Sequence, residues 1–158
     1  MPQLQLETLV DGPVERVFDL SRNIDLHCAT QTRHREMAVA GVTHGLIGLH
    51  QEVTWEATHL GVRQRLTSRI TMYDRPHHFR DSQVSGAFAR FDHDHFFEPT
   101  DDGCTRMRDL FDYDAPLGPL GRLADWLFLE RYMTRLLEER NAILKEVAGS
   151  ERWRDFIG

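Results

Sequence analysis

Apolar and polar positions follow two different periods along the chain, and the change falls at Pro116. Before it, apolar residues recur mainly at every second position, the spacing of a strand with one buried face; after it they recur every three or four, the spacing of a helix. Leu4, Leu6, Thr8 and Val10 alternate with Gln3, Gln5, Glu7 and Leu9, which predicts a first strand. Asp11-Gly12-Pro13 then opens a short helix, because Asp or Gly can cap it and the fixed φ of proline suits its first turn. Val14, Val17 and Phe18 give that helix one buried face, and Ser21-Arg22-Asn23 starts a second short helix through Ile24 and Leu26. Strand segments follow over residues 36–42, 52–59, 62–72, 79–84, 87–98 and 105–114.

Several of these segments state which side faces inward. Val53, Trp55, Ala57 and His59 share one face, and Gly61 marks a hairpin into the next strand. There Leu66, Ser68, Ile70 and Met72 oppose Arg63, Arg65, Thr67, Arg69 and Thr71, one side buried and one wet. Asp74-Arg75-Pro76 reads as a turn that leaves His77-His78 in solvent, and residues 99–103 as the last hairpin loop. The closing helix runs over residues 120–147, or about 42 Å at ~1.5 Å per residue. Its first half, with Leu123, Ala124, Trp126, Leu127, Phe128 and Leu129, is apolar almost all round; its second half narrows to Met133, Leu136, Leu137, Leu144 and Val147. An all-round apolar segment must be covered on more than one side, either by the sheet together with a loop or second subunit, or with one face lining an internal cavity. The pattern is therefore α+β: six or seven antiparallel strands, two short helices after the first, and a long C-terminal helix. No repeat or linker divides it, so residues 1–158 form one domain of ordinary size.

Composition narrows the function classes. A content of 41% hydrophobic and 28% charged residues is that of a globular chain. The net charge of −6 disfavours nucleic acid, whose phosphates draw Lys and Arg, and Lys145 is the single lysine. No apolar run is long enough to span a bilayer. The first residues lack the basic and apolar regions of an export signal, so the expected address is the cytoplasm, where Cys28 and Cys104 remain thiols. No GxGxxG, P-loop or GxSxG string is present, and no cofactor is assigned.

Candidate chemistry gathers in Phe91-Asp92-His93-Asp94-His95-Phe96-Phe97. On a strand His93 and His95 share a side with Phe91 and Phe97, about 6.6 Å apart. Two imidazoles among apolar side chains need partners; Asp109, Asp81 and His59 on neighbouring strands are the candidates. Three readings stay open. They are His–carboxylate pairs tying strands together, the polar end of a ligand pocket, or acid–base catalysts or a metal site. A metal wants a third ligand and an outer shell of supporting partners, no HExxH or Cys/His cluster supplies them, and no metal is assigned.

The chain resembles the START-like, helix-grip superfamily of polyketide cyclase/dehydrase-like proteins (SRPBCC). The order of elements fits throughout, and so do Gly12-Pro13-Val14-Glu15-Arg16-Val17-Phe18, residues 53–61, Arg75-Pro76 with Phe79 and Asp81, His93-Asp94-His95-Phe96, Gly103-Cys104-Thr105 with Asp109, and the residue 116–121 lead-in to the last helix, which resemble one bacterial branch. The resemblance implies a curved sheet gripping the long helix, with a cavity between them for a lipid-, sterol- or polyketide-like molecule; some members cyclise or dehydrate polyketides. Its expected wall is Trp55, Leu66, Ile70, Phe88, Phe111, Tyr113, Leu123 and Leu127, with His93, His95 and Asp109 as polar contacts. Phe88 and Phe91 have opposite parity and cannot line one cavity from one strand without a bulge. Binding or carriage of a hydrophobic small molecule is the first expectation. A cyclase or dehydratase using His93, His95 or Asp109 is the second, and an interaction module or homodimer built on the apolar half of the last helix is the third.

Overall fold

The computed structural model describes residues 3–158, and of Asp125 and Trp126 the backbone alone. Seven strands form one curved antiparallel sheet in the order β1-β7-β6-β5-β4-β3-β2. They are β1 (Gln3–Asp11), β2 (Met37–Gly41), β3 (Glu52–His59), β4 (Val62–Asp74), β5 (His78–Ser85), β6 (Arg90–Pro99) and β7 (Cys104–Asp114). Between β1 and β2 lie α1 (Val14–Ser21) and α2 (Ile24–Thr30). Pro13 itself takes the position before α1 with no side-chain cap, whereas the Asn23 side chain accepts from the Leu26 N–H at 2.8 Å and caps α2. After β7 come α3 (Gly118–Ala124), a π-helical turn over Asp125–Leu129, α4 (Glu130–Ala148) and a short terminal α5 (Arg154–Ile157). This is the helix-grip architecture the sequence pattern implies. Among the described residues no helix is long and apolar enough to cross a membrane.

The inner face of the sheet holds two clusters. One centres on Phe18 of α1, which meets Tyr73, Phe79 and Phe97 edge-on at 5.2–5.6 Å between ring centres. The other joins Leu4, Phe91, Phe111 and Tyr113 of the sheet to Met133 and Leu137 of α4. The convex face is a charge ladder. Arg63 and Arg65 share Glu56, and Arg69 pairs with Glu52, so each arginine of the stripe has a carboxylate partner on its own sheet.

Three departures from the expected pattern have local causes. A register shift between Ile70 and Met72 turns β4 over, so Met72 faces solvent and Tyr73 packs on Phe18 in its place. The single long helix is broken by the π turn, which inserts an extra residue and rotates what precedes it out of phase with α4. Leu123 and Leu127 consequently stand 53% and 57% exposed. Trp126, expected in the same apolar half, lies outside the described side chains. His78, expected in a solvated turn, instead opens β5 and bonds Asp94 at 2.7 Å.

Gly41 ends β2 at φ +73°, and a Cβ there would lie 2.2 Å from the carbonyl oxygen of Glu52 on β3. A Gly41→Ala chain is therefore expected to lose at least ~1–3 kcal/mol, read as a lowered urea midpoint. An unchanged midpoint would show that the β2–β3 edge yields freely.

Candidate functional site

Strand register sets the site. Asp81 on β5 stands opposite His93 on β6, and His95 stands opposite Asp109 on β7. Phe91, His93, His95 and Phe97 all face the concave side and are buried. The hydrogen bonds then run diagonally across these pairs: His93 Nε2 to Asp109 Oδ1 at 2.8 Å, and His95 Nε2 to Asp81 Oδ1 at 2.8 Å. The other nitrogens face the opposite carboxylates at longer range, His95 Nδ1 at 3.3 Å from Asp109 Oδ1 and His93 Nδ1 at 3.9 Å from Asp81 Oδ1. The two imidazole centres are 3.8 Å apart; His95 stacks on Phe79, and His93 stands edge-on to Phe111.

Helix α4 closes the cluster from the other side. Asn141 donates to Asp109 Oδ2 at 2.7 Å, and Arg140 Nη1 lies 3.4 Å from Asp109 Oδ1 while also donating to Asn141 Oδ1 at 2.9 Å. Arg140, Asn141 and Asp109 are all almost fully buried, so helix and sheet share one enclosed polar network.

Beside it lies an internal space of two lobes, about 320 Å³ and 120 Å³, which share His27, Glu36, Trp55, Asp81, His93, Leu136 and Leu137 in their linings. The larger is walled by Ala57, Leu66, Phe88, Phe91, Phe111 and Met133, with Leu60, Arg65 and Pro116 at its rim. The smaller reaches Ile70, Phe79, His95 and Arg140.

The likeness to known proteins follows the same lines. A model of the family described as polyketide cyclase / dehydrase and lipid transport matches residues 1–149. The chain belongs to that family. No curated protein matches it by sequence. Among solved structures it is similar to the protein TTHA0849 of Thermus thermophilus, with TM-score 0.75 and 20% identity over 93% of this chain and 97% of that one. It is also similar to the Zhui aromatase/cyclase of Streptomyces sp. R1128, with TM-score 0.74 and 13% identity over 93% of each chain. A START superfamily protein of Mycobacterium smegmatis follows at TM-score 0.67 and 9% identity, covering 92% and 98%. At these identities the likeness establishes the START-like fold and leaves the chemistry to the residues.

Of the residues the sequence singles out in this cyclase/dehydrase family member, Trp55, Leu66, Phe88, His93 and Phe111 border the larger lobe, and Ile70 and His95 the smaller. Phe88 and Phe91 both border it because β6 begins at Arg90; Phe88 sits in the preceding turn, free of strand parity, and meets Phe91 edge-on at 5.8 Å. Asp109 sits behind the histidines, Tyr113 is fully buried in the core, and Leu123 and Leu127 lie on the surface. His59 is apart from the cluster, bonded to the Tyr132 hydroxyl at 2.7 Å. Sequence reasoning did not bring in Arg140, Asn141, His27 or Glu36. Arg140 carried a signal, since it interrupts the apolar stripe between Leu137 and Leu144.

Charge is sorted unevenly across the cluster. Burial raises the Asp109 carboxyl, but the histidines and Arg140 outweigh it and hold the group well below the usual carboxylate range. Burial and the neighbouring His95 push His93 down toward its neutral form. Burial also disfavours the charged form of His95, and the carboxylates of Asp109 and Asp81 more than offset that, so its pKa is raised.

On the outer face Asp94 is held low, burial opposing and the Arg80 and His78 hydrogen bonds prevailing. A carboxyl lowered by folding contributes stability above its unfolded value and loses it as pH falls through the folded one. Asp94→Asn is expected to flatten the stability curve below about pH 4, and an unchanged acid limb in urea titrations would show that the Arg80 pair contributes nothing.

Proposed function

We propose that this chain binds a mostly apolar small molecule of ring-like bulk, carrying one oxygen function that points at His93. The observation that carries this reading is the composition of the 320 Å³ lobe: mainly aromatic and aliphatic walls, with His93 and Asp81 at its inner end and His27, Glu36, His59, Gln64 and Tyr132 as further polar lining. Its volume sits at the low end of the ~300–1,000 Å³ of small-molecule sites, which combine apolar walls with a few placed polar groups. His93 donates from Nε2 to Asp109, which leaves Nδ1 as an acceptor beyond hydrogen-bond reach of Asp81. A hydroxyl on the ligand fits that acceptor. A cytoplasmic address, with Cys28 and Cys104 as thiols, belongs to the same reading.

Native mass spectrometry of freshly purified protein, followed by organic extraction, tests it. An adduct of a few hundred daltons that is lost on extraction is the expected result. No adduct, together with no uptake of an apolar fluorescent probe, would overturn the reading.

The orientation of His93 by Asp109 at the edge of the cavity favours one second reading, an enzyme of the cyclase or dehydratase type. A neutral His93 oriented by Asp109 has the form of a general base aimed into the cavity. The Zhui aromatase/cyclase shares the fold. Turnover of a poly-β-ketone thioester that is abolished in His93→Gln would support it, and turnover unchanged in that variant would remove it. A homodimer would use the exposed Leu117, Leu120, Leu123 and Leu127 face; a monomer in sedimentation at high concentration would exclude that.

A further inference from the structure

The carboxylate of Asp81 and the two imidazoles form a group that the proposed ligand does not need in full. One oxygen of Asp81 and one nitrogen each of His93 and His95 lie within 4.8 Å of one another. An ion bonded to each at about 2.0–2.1 Å would hold such atoms roughly 3.3 Å apart. The observed separations from Asp81 Oδ1 straddle that value, at 2.8 Å to His95 Nε2 and 3.9 Å to His93 Nδ1. The far sides of both rings meet a second carboxylate: Asp109 Oδ1 is 2.8 Å from His93 Nε2 and 3.3 Å from His95 Nδ1. Metal-binding histidines characteristically give their other N–H to a carboxylate, which fixes ring orientation and tautomer. Here one carboxylate serves both rings, and Arg140 and Asn141 hold it in place. The His95 Nδ1 atom is buried and out of line for a hydrogen bond in the cluster as it stands. A small rotation of that ring, drawing Nε2 off the Asp81 oxygen and onto an ion, would bring it into line.

We infer that Asp81, His93 and His95 form a site for a first-row divalent transition cation of the zinc class, with Asp109 orienting both imidazoles from behind. Two imidazoles and one carboxylate suit Zn²⁺ or its first-row neighbours better than Mg²⁺ or Ca²⁺, which take oxygen ligands. Three protein ligands leave a coordination position open, as in sites where the metal meets a substrate oxygen. That position faces the cavity, because Asp81 and His93 line both of its lobes. The third ligand and its supporting carboxylate are what a His-x-His string lacks when read alone. They come from strands β5 and β7, and only the sheet register places them.

Co²⁺ titration of the chelator-washed full chain tests the site through its visible ligand-field bands. One Co²⁺ per chain in a low-symmetry site is expected, displaced by one equivalent of Zn²⁺ in keeping with the order of divalent affinities. Asp109→Asn should weaken binding about 10–100-fold, the usual effect of removing an orienting partner. Asp81→Asn should weaken it further, and His77→Ala in the exposed turn should leave it unchanged. Because cluster variants are open to unfolding, long-range ¹H–¹⁵N spectra of the wild-type histidines give an independent measure. Zn²⁺ should shift His93 Nδ1 and His95 Nε2 and leave the ring nitrogens of His77 and His44 in place. Absence of ligand-field bands, bands lost in His77→Ala, or unmoved His93 and His95 resonances would each overturn the inference. Ligand uptake is measured separately on the metal-free chain, so failure of this site leaves the proposed binding function standing.

Discussion

Replacing Asp109 by alanine is expected to lower the unfolding free energy by about 3–5 kcal/mol, seen as a reduced urea midpoint at an unchanged slope. The size follows from what is left behind. Asp109 is 2% exposed, and its carboxylate faces the His93 and His95 rings, Arg140 and Asn141. Without it the Arg140 guanidinium, itself 4% exposed, keeps the Asn141 amide oxygen as its hydrogen-bond acceptor and Asp81 as a more distant counter-charge, and a poorly compensated buried charge is costly. The same argument predicts compensation. Asp109→Leu combined with Arg140→Met removes both charges together, and should recover most of what either loses alone, because buried ion pairs are often replaceable by apolar groups of similar volume. A double variant as unstable as the sum of the two singles would mean that the network stabilises through hydrogen-bond geometry and not through mutual neutralisation. A loss below ~1 kcal/mol in Asp109→Ala would mean that water reaches Arg140.

Much of this arrangement was legible in the sequence, and the gaps have identifiable causes. Period-two alternation through residues 91–97 put His93 and His95 on the side of Phe91 and Phe97, since strand parity depends only on local spacing, but left open which side of that strand faces inward, which burial of all four in the structure settles. The partners Asp81 and Asp109 could be proposed, but their diagonal bonding depends on the β5–β6–β7 register, which two hairpin turns set jointly. Phe88 looked incompatible with Phe91 only while it was counted as part of the strand. Leu123 precedes Leu137 by two heptads and would share its face in an unbroken helix; the π turn between them carries no proline or glycine to announce it. The bulge after Ile70 is similarly silent, and it reverses Met72 and Tyr73. Arg140 is the instructive omission. A charged residue on an otherwise apolar stripe states that a buried counter-charge exists elsewhere, even though the stripe cannot say which.

Substituting His93 with phenylalanine should reverse the preference of the cavity between two ligands that differ by one hydroxyl. The proposed pair is naphthalene and 1-naphthol, with affinities measured by displacement of a fluorescent probe from the metal-free chain. In a lobe without His93 the naphthol should bind more weakly, because its hydroxyl gives up water and loses the acceptor placed at that end. In the wild type that hydroxyl can donate to His93 Nδ1, which the bond from Nε2–H to Asp109 leaves as an acceptor. His95 offers no equivalent atom, since its Nε2 is taken by Asp81 and its Nδ1 is turned toward Asp109. A neutral buried hydrogen bond contributes about 0.5–1.5 kcal/mol, and leaving its partner unmade costs ~1–3 kcal/mol. The swing between the two proteins should therefore approach or exceed tenfold, where tenfold is ~1.4 kcal/mol. Phenylalanine keeps the ring volume against Phe111, so naphthalene binding should change little and reports whether the lobe remains intact. If both chains rank the ligands alike, His93 does not select the oxygen end, and the pair of histidines acts only to tie β5, β6 and β7 together. If naphthalene binding collapses as well, the substitution has closed the lobe, and Asp81→Asn, which alters the polar end while leaving both imidazoles in place, becomes the deciding comparison.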